Sequence, residues 1–114
     1  MKLKLLIALA LLALCGGANA GEYNAIQVAS ACSGELDKTD ISFCEGLLQG
    51  VVSGHDTLIT WGYLKEPVIC VPGDIDTDRL AKIFVGYVAA HIERQNHTAS
   101  SLAMNAFKQA FPCK

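Results

Sequence analysis

The side chains able to do chemistry in this chain are few: five cysteines and three histidines among 114 residues. Cys15 lies in a segment expected to be removed, which leaves Cys32, Cys44, Cys70 and Cys113. Thiols suit three uses: metal ligation, nucleophilic catalysis or disulfide bonding. Zinc asks for closely spaced cysteines, or cysteine with histidine at ligand spacing. Neither pattern occurs, so no metal site and no cofactor are expected. A nucleophile needs a base and an orienter converging on it. His55 adjoins Asp56, but neighbours on a helix point about 100° apart and are not expected to cooperate. His91 falls on an apolar stripe and reads as a satisfied core or interface histidine, and His97 falls in a polar stretch. Ser100 and Ser101 read as first-turn helix residues. No catalytic constellation is complete, so the chain is not expected to be an enzyme. A small hydrolase using His55 or His97 is the contrary reading. Disulfide bonding remains, which implies an oxidising compartment.

The N-terminus agrees with that compartment. Lys2 and Lys4 precede a short apolar run, Leu5 to Leu14, and Ala18-Asn19-Ala20 is a small-x-small cleavage site. Residues 1–20 therefore read as a secretory signal peptide, with Gly21 as the mature N-terminus. The run is too short to span a bilayer, which takes roughly 20 residues. Leu14 directly before Cys15 is a poor lipobox residue, so no stable membrane anchor is expected. Two of the nine basic residues leave with the signal. Against eleven acidic residues the mature chain then carries a formal charge of −4. That balance argues against nucleic acid, which asks for clustered Lys and Arg.

Residues 21–114 are enough for one domain. The three prolines, Pro67, Pro72 and Pro112, all fall at expected helix boundaries. Apolar spacing predicts four helices and no strand that competes with them. The first runs from about Tyr23 to Ala31, with Tyr23, Ile26, Ser30 and Ala31 as its weak stripe and Gly34 as its stop. The second runs from about Ile41 to Trp61, with Asp40 as N-cap. Its stripe is Cys44, Leu47, Leu48, Val51, His55, Leu58 and Ile59. The third starts near Ile75, where Asp74, Asp76 and Asp78 suit the helix dipole. Leu80, Ile83, Phe84, Tyr87, Val88, His91 and Ile92 form its stripe. The fourth runs from Ala99 to Ala110, its face built from Leu102, Ala103, Ala106, Phe107 and Ala110. Gly46, Gly50 and Gly54 line one side of the second helix at a cost of about 1 kcal/mol each against alanine. Close approach of a neighbouring helix is the favoured explanation. A contact surface for a partner or a second copy is the alternative.

Each cysteine sits at an expected helix end, and four cysteines allow three connectivities. In an up-down arrangement Cys32 and Cys44 share one end of the bundle, and Cys70 and Cys113 share the other. Bridged Cα atoms lie within about 7 Å, so Cys32–Cys44 and Cys70–Cys113 are the expected pairs. Loop closure assigns them about 3 and about 4 kcal/mol of stabilisation. The fold class is thus all-α: a small four-helix, up-down-like domain stapled by two disulfides.

Several of these elements also occur in a fixed order. Phe43-Cys44-Glu45-Gly46-Leu47-Leu48-Gln49-Gly50-Val51 is followed by Ile69-Cys70-Val71-Pro72 and an aspartate-rich helix start. Ala106-Phe107-Lys108-Gln109-Ala110-Phe111-Pro112-Cys113 closes the chain. From Phe43 to Cys113 this order resembles the Rap/Tai group of type VI secretion immunity proteins. Leu47 departs from it, since an aromatic is common there, and the third helix ends without the expected proline. The resemblance implies a periplasmic protein that protects a bacterium from a toxin injected by its siblings. It further implies a peptidoglycan amidase as the target, a homodimer, and a protruding loop that blocks the enzyme's cleft.

Two segments are candidates for that loop. Residues 62–67 carry Tyr63, the charged Lys65 and Glu66, and the stiffening Pro67. Residues 93–98 are polar and include Arg94, Gln95, Asn96 and His97. Trp61 and Tyr63 are the candidate interface anchors, with ordinary packing as the plainer reading of Trp61. The alternative function is a periplasmic binding, stress or envelope module of the same fold with no toxin partner.

Overall fold

The computed structural model describes Lys2, residues 22–34 and residues 38–114. The signal-peptide reading of residues 1–20 and its cleavage site fall, Lys2 apart, outside the described residues. Within the described residues 22–34 and 38–114 four α-helices follow one another: α1, Ala25–Cys32; α2, Lys38–Thr60; α3, Thr77–Ala90; and α4, Ala99–Ala110. A single 3-10 turn, Ile92–Arg94, lies between α3 and α4. Among the described residues the extended pairing is confined to one isolated bridge, Asn24 with Thr98.

The start of α1 is set by a capping box. Asn24 Oδ1 accepts the Gln27 N–H at 3.0 Å, and Gln27 Oε1 accepts the Asn24 N–H at 3.0 Å. These bonds satisfy donors that the first helical turn leaves unpaired. They also fix the helix phase. Ala25, Val28, Ala29 and Ala31 turn inward, whereas Tyr23 and Ile26 remain exposed. The expected stripe through Tyr23 and Ile26 is therefore corrected. Gly34, at φ +68°, ends the helix as expected, its N–H bonded to the Ala31 carbonyl.

The core forms where the four helices meet. Val28 of α1, Cys44 and Leu48 of α2, Leu80 and Phe84 of α3, and Leu102 and Phe107 of α4 have less than 2% of their surface exposed. Asp76 caps α3, accepting the Asp78 N–H at 3.1 Å, whereas Asp40, expected to cap α2, lies inside the first turn of that helix. Helix α3 stops at Ala90, two residues before the apolar pattern does, and Ile92 is left in solvent. Its reason lies across the bundle. The chain after Ala90 turns so that the Gln95 and His97 carbonyls accept the N–H groups of Ile26 and Ala25 at 3.0 and 2.8 Å. Ending α3 early thus caps α1.

Both expected bridges are present, Cys32–Cys44 and Cys70–Cys113, each with Cα atoms 5.1 Å apart. The strict up-down alternation is altered by the connection 61–76. It carries the chain back, so that Asp78, Ala81 and Lys82 share a groove with Cys32, Ile41 and Glu45. Helices α2 and α3 therefore leave that end in roughly the same sense. Bundles with one long crossover have this character.

Candidate partner-binding surface

Helix α2 ends in a Schellman motif. Gly62 takes φ +78°, its N–H bonds to the Ile59 carbonyl at 2.9 Å, and the Tyr63 N–H bonds to the Leu58 carbonyl at 2.9 Å. A glycine is needed there because an L side chain is strained at that φ. The stop throws Trp61 and Tyr63 outward together. They are 70% and 75% exposed, with ring centroids 6.5 Å apart in an edge-on arrangement. Lys65 and Glu66 stand exposed beyond them. Packing does not explain Trp61, because a ring this exposed contributes little to the core.

The loop beneath these side chains is tied down along its length. Val68 N–H donates to His55 Nε2 at 3.0 Å, and Ile69 N–H approaches the same atom at 3.5 Å. Ile69 is buried, and Cys70 N–H donates to the Phe111 carbonyl at 3.0 Å. The Cys70–Cys113 bridge then locks the loop to the end of α4. Its tip is exposed while its base is hydrogen bonded and crosslinked.

The second candidate loop is built differently. Arg94, Asn96 and His97 are exposed and Gln95 is half-buried, but its backbone is committed to capping α1. Arg94 Nε reaches Glu93 at a loose 3.8 Å. The structure thus gathers Trp61, Tyr63, Lys65 and Glu66 on one loop and Arg94 to His97 on another. Beside the first of these loops lies an open apolar groove of about 440 Å³. Leu47, Gly50, Val51, Gly54 and Leu58 of α2 form one wall, and Ser100 and Met104 of α4 form the other, with Leu64 of the first loop at its edge. The glycine spacing points to this face, where a contact surface is the alternative expectation rather than the favoured one. A Cβ placed on Gly46, Gly50 or Gly54 meets nothing within 4 Å. Close approach of a neighbouring helix within the chain is therefore corrected: the glycine face is open.

The histidines make local bonds. His55 and Asp56 do meet, against the expectation for helix neighbours. The carboxylate folds back until Oδ1 lies 3.1 Å from Nδ1. That pair has the form of a base and its orienter, but Nε2, the atom a base would use, is spent on the loop backbone. His91 ends α3, donates from Nδ1 to the Tyr87 carbonyl at 2.9 Å, and stacks on the Tyr87 ring at 4.0 Å. It is satisfied, as expected. Lys82 lies 2.8 Å from Asp78, whose hydrogen bond raises the ammonium pKa above its usual value. Both side chains are exposed, a solvated pair four residues apart on α3. No group of three or more metal-ligating side chains occurs among the described residues. No helix among them is long and apolar enough to cross a membrane.

A stapled helical bundle with a braced aromatic loop and an open apolar groove has the equipment of a protein that works by binding another macromolecule. The chain matches the family model of the Rap1a immunity proteins over residues 9–113, and it belongs to that family. It is therefore an immunity protein whose partner is a protein toxin, in a family that is typically non-enzymatic. No curated protein and no solved structure matches the chain.

Proposed function

We propose that the mature protein works in the periplasm, where it neutralises a type VI secretion toxin of the peptidoglycan amidase class. The loop from Trp61 to Pro67 enters or covers the enzyme's active-site cleft. One observation carries the reading: two large aromatic rings stand in solvent on a loop whose base is held by a Schellman motif, by His55 and by a disulfide. Ordering a loop on binding costs affinity, and a loop ordered in advance avoids that cost. Tyrosine and tryptophan are also the side chains most enriched at binding hot spots. The bridges and the signal-like residues 1–20 support the periplasmic location.

The reading includes a homodimer joined through the apolar groove of α2. Glycines spaced by four let two helices approach closely, and the groove supplies apolar surface to bury.

Cells in which the gene is deleted beside an intact toxin gene should be killed by their siblings. Full-length protein should restore survival, and a form lacking residues 2–20 should not. Equal protection by the unexported form would contradict the periplasmic site of action. Protection by a Trp61→Ala, Tyr63→Ala double variant as good as wild type would remove the loop from the mechanism.

A further inference from the structure

His55 is buried to 3% exposure and is the sole buried polar or charged residue among those described. Its surroundings determine its proton. Nε2 faces the N–H groups of Val68 and Ile69, at 3.0 and 3.5 Å. Both are donors, so Nε2 must offer a lone pair. The ring proton then sits on Nδ1 and is donated to Asp56 Oδ1, 3.1 Å away. A neutral imidazole donates from one nitrogen and accepts at the other, and the partner of one fixes the role of the other. The remaining groove residues close to His55, such as Gly54, Leu58, Leu64 and Met104, carry no titratable group.

This arrangement spans 13 residues of sequence and joins two different parts of the site. His55 lies on the rigid body of α2, two turns before the Schellman stop. Val68 lies on the returning limb of the loop, immediately after Pro67. Pro67 has no N–H to offer, so the next donor available to hold this limb is that of Val68. The outgoing limb is fixed by the Gly62, Tyr63 and Leu64 N–H bonds to the end of α2, the returning limb first meets α2 at His55, and the exposed Lys65 and Glu66 hang between. Removing the His55 point would free the returning limb as far as the buried Ile69 and the Cys70 anchor.

We propose that His55 is the positioning residue of the contact loop: its Nε2 lone pair sets the returning limb on α2 and thereby fixes where Lys65 and Glu66 stand beside the aromatic pair that the α2 stop already holds. The inference rests on the reading of that loop as the toxin-contacting surface. It assigns His55 a role in recognition without contact with the toxin.

Two replacements separate position from packing. His55→Gln places an amide oxygen near the site of Nε2 and keeps an acceptor for the Val68 N–H. His55→Met keeps apolar bulk and supplies no comparable acceptor. Two readouts apply to each oxidised protein: amide hydrogen exchange at Val68 and Ile69, and calorimetric titration against the purified cognate toxin. Imidazole nitrogen NMR of the wild type should show a protonated Nδ1 and a bare Nε2. In His55→Met, exchange at Val68 should quicken, with toxin affinity weaker on the order of tenfold or more. His55→Gln should restore both toward wild type.

Slow exchange at Val68 in a folded His55→Met protein would overturn the proposal, as would a His55→Gln protein no better than His55→Met. A proton on Nε2 would overturn it as well. The Trp61→Ala, Tyr63→Ala double variant separates the two failures. If it binds toxin as tightly as wild type, the loop reading has failed, and the recognition role of His55 fails with it. If it loses binding while His55→Met does not, the loop reading stands and His55 is refuted.

Discussion

Replacing Gly46, Gly50 and Gly54 together with alanine should stabilise the isolated domain. All three lie inside α2, at ordinary helical φ, where glycine is less favourable than alanine by about 1 kcal/mol. Part of that difference resides in the unfolded chain, whose freedom alanine restricts. Steric cost would oppose the gain, but a Cβ at any of the three positions meets no atom within 4 Å. Each substitution should therefore return about 0.4–1 kcal/mol, and the three together roughly 1–3 kcal/mol, or on the order of 10 °C in Tm for a domain of this size. The assay is urea unfolding of the oxidised protein, in which the midpoint should rise with the slope unchanged. Concentration matters, because the stability of a self-associating protein depends on it. At low concentration the triple variant should be more stable than wild type. At high concentration wild type should gain stability and the variant should not, since new methyl groups would hold two glycine faces apart. A variant less stable than wild type at every concentration would refute the reasoning. It would mean that the glycine face is packed within the chain.

Other perturbations read different parts of the account. Serine at both Cys70 and Cys113 should cost about 4 kcal/mol, and serine at both Cys32 and Cys44 about 3 kcal/mol, on loop-closure grounds; their separations are 43 and 12 residues, and equal losses would put the energy elsewhere. Asn24→Ala removes the capping box of α1 and should lower stability by about 1 kcal/mol, again by urea unfolding. Trp61→Ala and Tyr63→Ala should each leave stability within about 0.5 kcal/mol, as exposed positions do. Each should weaken toxin binding by more than about 1 kcal/mol if the rings are anchors, which calorimetry reads directly.

Much of this structure was legible in the chain before folding, and the exceptions share a cause. Helix number and both bridges followed from where Cys32, Cys44, Cys70 and Cys113 sit relative to the apolar stripes. Those stripes are long in α2 and α3, so their phase is well determined. α1 has eight residues, mostly small, so its periodicity is shallow. The capping box of Asn24 and Gln27 chose the inward face, turning Val28 in and Tyr23 out. α3 ends two residues short of its apolar pattern for a reason seated on another helix: the chain after Ala90 supplies carbonyls to the start of α1. His55 was placed on its stripe correctly, but its partners are backbone groups of residues that no periodicity connects to it. The glycine spacing showed a face without side chains. Whether a neighbour filled that face depended on how the helices cross, which local pattern does not encode. The candidate contact residues divided in the same way. Trp61 and Tyr63 announced themselves as aromatics at the expected end of the second helix, whereas the capping duty of the loop around Gln95 and His97 became visible only once α1 lay against it.

The most direct test of the account is inhibition of the proposed amidase-class cognate toxin in a peptidoglycan hydrolysis assay with the mature, oxidised protein. The account predicts that hydrolysis falls to zero at a stoichiometric ratio, and that the Trp61→Ala, Tyr63→Ala double variant, equally well folded, fails to suppress it. Undiminished hydrolysis at saturating wild-type protein, or full inhibition by the double variant, would contradict it.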